Sequence, residues 1–202
     1  MHVYSLEEGK ALVHAARAAI ELYLKNPRFD KSVVEKELSK FKEPYGTFVT
    51  LYYHPLNELR GCIGFPRPVG GVGHDVVEAA LAAAFEDPRF VPLSLRELSE
   101  VAIEVSILSE MVPVKGDERM RLRAVKAGRD GLMVQYGIYS GLLLPIVAVE
   151  QHWDTRKFLG ETCIKAGLPE TYWTQKSVNL YKYETQVFKE EKPEGEVIEV
   201  NL

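Results

Sequence analysis

The residues with the clearest chemical potential are an arginine and a cysteine in the hexapeptide Leu59-Arg60-Gly61-Cys62-Ile63-Gly64. Side chains alternate between two faces of a strand, so an extended segment would place Arg60 and Cys62 on the same face. A neighbouring guanidinium lowers the pKa of a thiol, because it favours the nucleophilic thiolate. Glycine inside a strand is typical of a bulge or of close approach by a backbone or a ligand. The hexapeptide therefore predicts either a reactive site or a tightly packed strand in which Cys62 is an ordinary small buried residue.

Nucleophilic catalysis by this cysteine would also need a general base. Glu104 is the best acid or base candidate, since a carboxylate in an otherwise apolar strand is either paired or raised in pKa. The alternative is a structural ion pair between Glu104 and Arg60 or Arg89. His74 and His152 both precede predicted helices, where histidines more commonly cap the helix or lie at the surface.

The sequence predicts no metal site and no disulfide framework. No two histidines stand at a spacing of three or four residues, and the two cysteines, Cys62 and Cys163, form no C-x-x-C pair. Helical spacing with Phe158 and Leu159 predicts that Cys163 is a core residue. The glycine-rich run at 70–73 resembles loops whose amides hold an anion, but Asp75 in the first helical turn would repel a phosphate, which favours an ordinary flexible loop.

Composition narrows the class of protein. The chain has 202 residues, 46% of them apolar, and a formal net charge of -4. Such a chain is long enough to bury a core, and its acidic balance argues against nucleic-acid binding. The residues at the start lack the basic and apolar regions of a signal peptide, and no apolar run reaches membrane-spanning length. We therefore expect a cytoplasmic protein with no membrane association.

Patterns in the first half predict helices and strands in alternation. Ser5 and Glu8 form a capping box for an amphipathic helix that ends at Asn26-Pro27. Further elements are a weaker helix or irregular charged segment in 31–40, a hairpin of strands at 48–53 and 59–64, a helix from Asp75 to about Phe85, a short helical turn at Ser94 with Glu97, and a strand over 101–108 with Val101, Ile103, Val105 and Ile107 on one face.

The second half repeats this order in the predicted elements. A hairpin of 132–136 and 138–144 precedes a helix from Asp154 and one strand over 180–188, which suggests a duplicated ββαβ plan. The charged segment 109–130 is the expected subdomain boundary or mobile arm. The charged tail from Lys189 is expected at the surface, where 197–200 could add an edge strand. The fold class predicted is α+β, with two subdomains built on mainly antiparallel sheets with flanking helices.

The hexapeptide also resembles the hallmark of the AMMECR domain family. The resemblance covers most of the chain, so residues 1–202 are interpreted as one such domain. It extends over these further segments: Asp87-Pro88-Arg89-Phe90, Glu104-Val105-Ser106, Leu144-Pro145, Glu150, Trp153 and Lys165-Ala166-Gly167-Leu168. The family has no established reaction. The resemblance implies an α+β protein of two subdomains with a cleft between them, and some prokaryotic relatives are fused to, or encoded beside, a Memo-type protein and a radical SAM protein.

Two hypotheses about function follow from the residues and the resemblance. The first is an accessory or binding component of a modification pathway that involves Memo-type and radical SAM proteins, with a cleft around Cys62. The alternative is an enzyme with Cys62 as nucleophile, Glu104 as acid or base, and Arg60 beside them. The candidate binding residues are Arg60, Gly61, Gly64, Arg89, Glu150 and Trp153. The sequence names no cofactor, substrate or oligomeric state.

Overall fold

The computed structural model describes residues 3–200, so the first two and last two residues of the predicted start and tail lie outside the described part. The chain divides into two compact units. Unit 1 comprises the chain up to Leu108 and again from Gln186, and unit 2 comprises Ser109–Thr185. The described residues therefore form an α+β protein with one antiparallel sheet of five strands and one of four.

The elements are numbered in chain order. The strands are β1 (Gly46–Tyr53), β2 (Glu58–Phe65), β3 (Val101–Leu108), β4 (Val112–Pro113), β5 (Gly131–Tyr136), β6 (Tyr139–Leu143), β7 (Asn179–Tyr183), β8 (Thr185–Glu190) and β9 (Val197–Val200). The helices are α1 (Leu6–Lys25), α2 (Ser32–Glu37), α3 (Val72–Phe85), α4 (Leu95–Leu98), α5 (Glu118–Ala124), α6 (Pro145–Glu150) and α7 (Thr155–Lys165), with a short 3₁₀ helix at Glu170–Thr174.

Unit 1 is built on the sheet β2-β1-β3-β8-β9, with α1 and α3 packed on one face. The capping box predicted for α1 is confirmed, since the Ser5 hydroxyl accepts from the Glu8 amide and the Glu8 carboxylate accepts from the Ser5 amide. The apolar face predicted for β3 is also confirmed. Its four aliphatic side chains are fully buried in the core between sheet and helices: Val101, Ile103, Val105 and Ile107.

Unit 2 is built on the sheet β4-β7-β5-β6, against which α7 packs. Asp154 caps α7 by accepting a hydrogen bond from the Lys157 amide at 2.7 Å, so the predicted helix start is confirmed. Cys163 is fully buried in the core of this unit beside Phe158 and Leu159, as its helical spacing predicted.

Two predictions about elements were wrong. The expected single strand over 180–188 is two strands, because the chain leaves one sheet at Tyr183 and joins the other at Thr185. The helix predicted from Asp75 begins three residues earlier at Val72, because Gly71 serves as its N-cap. The segment 109–130, expected to be a subdomain boundary or a mobile arm, contains β4 and α5, and unit 2 begins at its first residue, Ser109.

The predicted tail strand is present as β9, which pairs with β8 at the sheet edge. The duplicated plan stays a hypothesis. Both sheets contain a hairpin whose first strand also pairs with a later strand, in the orders β2-β1-β3 and β6-β5-β7. A shared layered architecture produces the same order without common descent. Within residues 3–200, no helix combines the length and apolar character needed to cross a bilayer.

Candidate functional site

Cys62 lies in a polar row that crosses three strands of unit 1. It is the register partner of Thr50 on β1, and Thr50 is in turn the partner of Glu104 on β3. Directly opposed residues of antiparallel strands share a face, so the three side chains lie side by side on the face opposite α1 and α3. The Thr50 hydroxyl donates to the Cys62 sulfur at 3.3 Å. The structure thus brings together Cys62 and Glu104, the two predicted catalytic residues.

A β-bulge separates Arg60 from this row. Gly61 is opposite Leu51, and Leu59 is opposite Tyr52, so Arg60 is an extra residue without a partner on β1. Its side chain is only 2% exposed. The alternation that predicted a shared face for Arg60 and Cys62 is therefore interrupted at the arginine itself.

The Arg60 guanidinium instead joins the segments that follow α3. Its Nε donates to the Glu97 carboxylate at 3.1 Å, and Nη2 donates to the Val91 carbonyl at 2.8 Å. Burial raises the pKa of Glu97, but hydrogen bonds from Ser94, Tyr53 and Arg60 outweigh it and lower the pKa to about 2. Arg60 thus anchors α4 and the preceding segment to the edge strand.

The thiol of Cys62 is not activated. Burial raises the pKa of the thiol above its ordinary value, and the negative charges of Glu104 and Asp87 raise it further. The hydrogen bond from Thr50 and the positive charge of Arg89 lower the pKa, but by less. The prediction that Arg60 lowers this pKa was wrong, because the bulge turns its guanidinium towards Glu97. The nearby cation is Arg89, whose own charge is largely matched by Asp87.

Asp87 and Arg89 bind the backbone of Cys62. The Cys62 amide donates to the Asp87 carboxylate at 2.9 Å, and Arg89 donates to the Cys62 carbonyl at 3.2 Å. Arg89 also donates to Asp87 through Nε and Nη2, and these hydrogen bonds hold the pKa of Asp87 far below its usual range. The segment after α3 therefore covers the edge of β2 and satisfies backbone groups that no neighbouring strand pairs.

The two glycines of the hexapeptide allow close packing. A Cβ on Gly61 would lie 2.2 Å from the carbonyl oxygen of Ala83 in α3, so only glycine lets the helix approach the strand this closely. A Cβ on Gly64 would lie 2.3 Å from the ring of Phe48. Of the two meanings that the sequence left open for these glycines, the structure supports tight packing.

The other predicted residues lie elsewhere. Glu150 is exposed at the end of α6 in unit 2, and Trp153 packs against the core of that unit. The amides of Val69 and Gly70 in the glycine-rich loop both donate to Asp75 at 2.9 Å. These two amides of the loop are therefore already bound to the side chain of Asp75.

Glu35, His74 and Glu78 place potential metal-ligating atoms within 4.8 Å of one another. His74 and Glu78 are four residues apart on α3, a spacing that can place two metal ligands on one helix face. The prediction of no metal site took account of this spacing only for pairs of histidines. Here His74 contacts Glu35 at 2.8 Å, and Lys31 donates to both oxygens of Glu78. The contacts describe a cluster of polar side chains on unit 1 that contains one ion pair, Lys31 with Glu78, and a hydrogen bond between His74 and Glu35.

Three contributors to the site were not predicted. Thr50 gave no signal, because its contact with Cys62 depends on strand register. Glu97 was recognised only as part of a short helical turn with Ser94; in the structure it completes a capping box for α4 and is also the partner of Arg60. Asp87 belongs to the Asp87-Pro88-Arg89-Phe90 motif, so the resemblance marked it, but its contact with the edge of β2 is tertiary.

Comparison with known proteins agrees with the family resemblance of the sequence motifs. The AMMECR1 family model matches residues 13–188. The chain belongs to the AMMECR1 family. It is 45% identical over 204 residues to Protein MJ0810 of Methanocaldococcus jannaschii, with both chains covered completely, and 45% identical over 195 residues to Protein PF1979 of Pyrococcus furiosus, covering 95% of this chain and 92% of that one.

A solved structure shares the fold. The crystal structure of the uncharacterized protein PH0010 from Pyrococcus horikoshii superposes with a TM-score of 0.90 at 43% identity, covering 97% of this chain and 98% of that one. These relatives carry no functional name, so family membership fixes the architecture and leaves the biochemical activity to be argued from the site.

Proposed function

We propose that this protein is a binding component of a modification pathway, and that it docks a partner protein on the surface around β2 rather than using Cys62 as a nucleophile. One observation carries the proposal: the hexapeptide side chains and backbone are committed to holding the scaffold together. Arg60 binds Glu97 and Val91, and Cys62 is held through its backbone by Asp87 and Arg89. The raised pKa of the thiol adds to this argument, because a nucleophilic cysteine needs an accessible thiolate.

Exposed apolar side chains next to this scaffold supply a surface for a partner. Val91 is 74% exposed and Leu95 is 59% exposed, and they flank the contacts that Arg60 makes with Val91 and Glu97. Leu59, the neighbour of Arg60 on β2, is exposed as well. Large apolar side chains grouped at a surface are typical of protein interaction sites.

The partner in this proposal is a Memo-type protein or a radical SAM protein, the two kinds of protein that the family resemblance associates with the chain. The cytoplasmic location expected from the sequence is part of the same proposal. A rigid edge is suited to this role, since docking onto a preformed surface costs less ordering of loops and side chains.

The test is a binding titration of the purified protein against the Memo-type and radical SAM proteins encoded in the same genome. The double variant V91E/L95E should weaken binding by at least tenfold, because it places two charges in an apolar contact. Ile138→Glu is the matched control, since Ile138 is 94% exposed on the β5–β6 turn of unit 2. The Ile138→Glu variant should bind the partner with the same affinity as the unmodified protein.

Cys62→Ala separates the two hypotheses. If the protein is a binding component, C62A should retain both its affinity for the partner and the activity of the modification pathway. Loss of pathway activity with intact partner binding would instead support the nucleophile hypothesis. Absence of binding to either candidate partner, or equal affinity of V91E/L95E and the unmodified protein, would overturn the docking proposal.

A further inference from the structure

Unit 2 contains a cavity that the proposed function does not use. It has a volume of about 400 Å³ and lies where β4 meets β7. The backbone of this wall is continuous, since Pro113 pairs with Tyr181 and the Val114 amide donates to the Leu180 carbonyl at 2.7 Å. A volume of this size is within the range of small-molecule sites in proteins.

The cavity is lined by cations. Lys115, Arg121 and Lys176 contribute to the wall, together with Asn179 and Tyr181, and no aspartate or glutamate of residues 3–200 takes part in the lining. Three positive charges around one concave surface concentrate a positive potential there. In a chain with a net charge of -4, this is a local reversal of sign.

Arg121 is the unusual member of this group. It is only 3% exposed, and its Nη1 and Nη2 donate to the carbonyls of Trp173, Gln175 and Val178. Its Nε is buried and has no hydrogen-bond partner among residues 3–200. A buried donor without an acceptor is destabilising, so part of the hydrogen-bonding capacity of this guanidinium is unused at the back of the cavity.

The charge of Arg121 is also unmatched within the described chain. Three arginines are buried in residues 3–200, and the other two have carboxylate partners: Arg17 pairs with Glu190, and Arg60 pairs with Glu97. Arg121 forms no ion pair in that part of the chain, and burial lowers the pKa of its guanidinium. Buried charges in proteins are ordinarily paired, so a counter-anion from outside the chain would complete this site.

We propose that the cavity of unit 2 is a binding site for a small organic phosphate. The ammonium groups of Lys115 and Lys176 contact the phosphate oxygens, and Arg121 supplies the third positive charge at the back of the cavity. A phosphate monoester carries about two negative charges at neutral pH, which matches three cations better than a single carboxylate does. The remaining volume accommodates the organic part against Tyr181 and Asn179.

The test uses adenosine monophosphate and inorganic phosphate as probes of the complete chain. Binding is measured by titration at low and constant ionic strength, with sodium chloride replacing the probe in the reference. We expect saturable binding of adenosine monophosphate with a dissociation constant below about 1 mM. The ¹⁵N–¹H resonance of Arg121 Nε should shift during the titration, a readout that surface attraction alone would not move.

Two double variants give the site its specificity control. Lys115→Ala with Lys176→Ala removes two exposed cations from the cavity and should weaken binding at least tenfold. Lys126→Ala with Lys165→Ala removes two exposed lysines of the same unit that do not line the cavity, and it should leave the affinity unchanged. Equal weakening by both pairs would mean non-specific attraction and would overturn the proposal.

The two probes distinguish the sources of the anion. Tighter binding of adenosine monophosphate than of inorganic phosphate supports an organic phosphate. Equal affinity for both, no saturable binding of either, or an Arg121 Nε resonance that does not move would overturn it. Arg121 itself is not substituted, because its three carbonyl contacts join α5 to the 3₁₀ helix and to the segment between that helix and β7, and its loss would disturb the fold.

Discussion

Replacing Gly61 by alanine should destabilise the protein by about 2 kcal/mol, because the added methyl group collides with the backbone of α3. The new Cβ would lie 2.2 Å from the Ala83 carbonyl oxygen and 3.2 Å from its carbon. Ordinary contact begins at 3.4 Å, so helix and strand would have to separate by roughly 1 Å. The obstacle is backbone, so no change of side-chain rotamer can relieve it.

The magnitude combines two opposing effects. Overpacking a close-packed core costs about 1–3 kcal/mol, and a rigid backbone obstacle places this site at the upper end of that range. Alanine also reduces the conformational entropy of the unfolded chain, which returns about 0.4–1 kcal/mol. With a urea dependence of about 2 kcal/mol per molar, the net loss lowers the unfolding midpoint by about 1 M.

The assay is urea unfolding of Gly61→Ala beside a control, Gly137→Ala. Gly137 lies in the β5–β6 turn, where an added Cβ meets no atom within 4 Å, although its φ of 58° costs alanine about 1 kcal/mol. Circular dichroism at 222 nm follows the helices, of which the two longest belong to unit 1, and tryptophan fluorescence follows unit 2, which contains Trp153 and Trp173. An unchanged midpoint for Gly61→Ala, or an equal loss in Gly137→Ala, would refute the packing argument.

Three further predictions concern the site. In a Cys163→Ala background, alkylation of Cys62 by iodoacetamide should be slow at pH 7, because the pKa of the Cys62 thiol is raised and little thiolate is present. The alkylation rate should increase about tenfold per pH unit towards pH 9. A rate that levels off below pH 8 would contradict this prediction. Despite its burial, hydrogen bonds from Ser94, Tyr53 and Arg60 lower the pKa of Glu97 from 4.5 to about 2, so the stabilisation from its ionised form, about 2–3 kcal/mol, is complete above pH 4.5 and lost as the pH falls towards 2. The stability difference between the unmodified protein and Glu97→Gln should therefore shrink over that interval in acid titrations of unfolding. Arg60→Lys should cost about 1–3 kcal/mol in denaturant unfolding, because an ammonium cannot reproduce the forked contacts with Glu97 and Val91; an unaltered midpoint would show that those contacts add nothing.

Local signals in the sequence were sufficient for several elements. The capping box of Ser5 with Glu8 is confirmed, and the short helical turn predicted at Ser94 with Glu97 is present as α4, since in both cases the two residues lie only three positions apart. The core position of Cys163 follows from its helical spacing for the same reason. Family membership was also accessible, because the hexapeptide and its companion motifs are properties of the chain itself.

The environment of Cys62 was not accessible in this way. Alternation along a strand assumes continuous pairing, and a bulge at Arg60 depends on the register of β1, which the residues of β2 alone do not reveal. The sign of the thiol pKa shift depends on burial and on Asp87, Arg89 and Glu104, which come from other segments. Sequence reasoning could identify the arginine and the cysteine, but not which groups they meet.

The sequence by itself therefore determined the family, the α+β class and the short-range caps, all of which rest on residues close together in the chain. Tertiary structure decided that α3 packs directly against Gly61 and that Arg60 donates to Glu97 instead of lying beside the thiol. It also decided that the chain passes from one sheet to the other after Tyr183. The physical reason is the same in each case: packing, ion pairing and desolvation depend on the distance between atoms in space, and residues far apart in sequence set that distance only when the chain has folded.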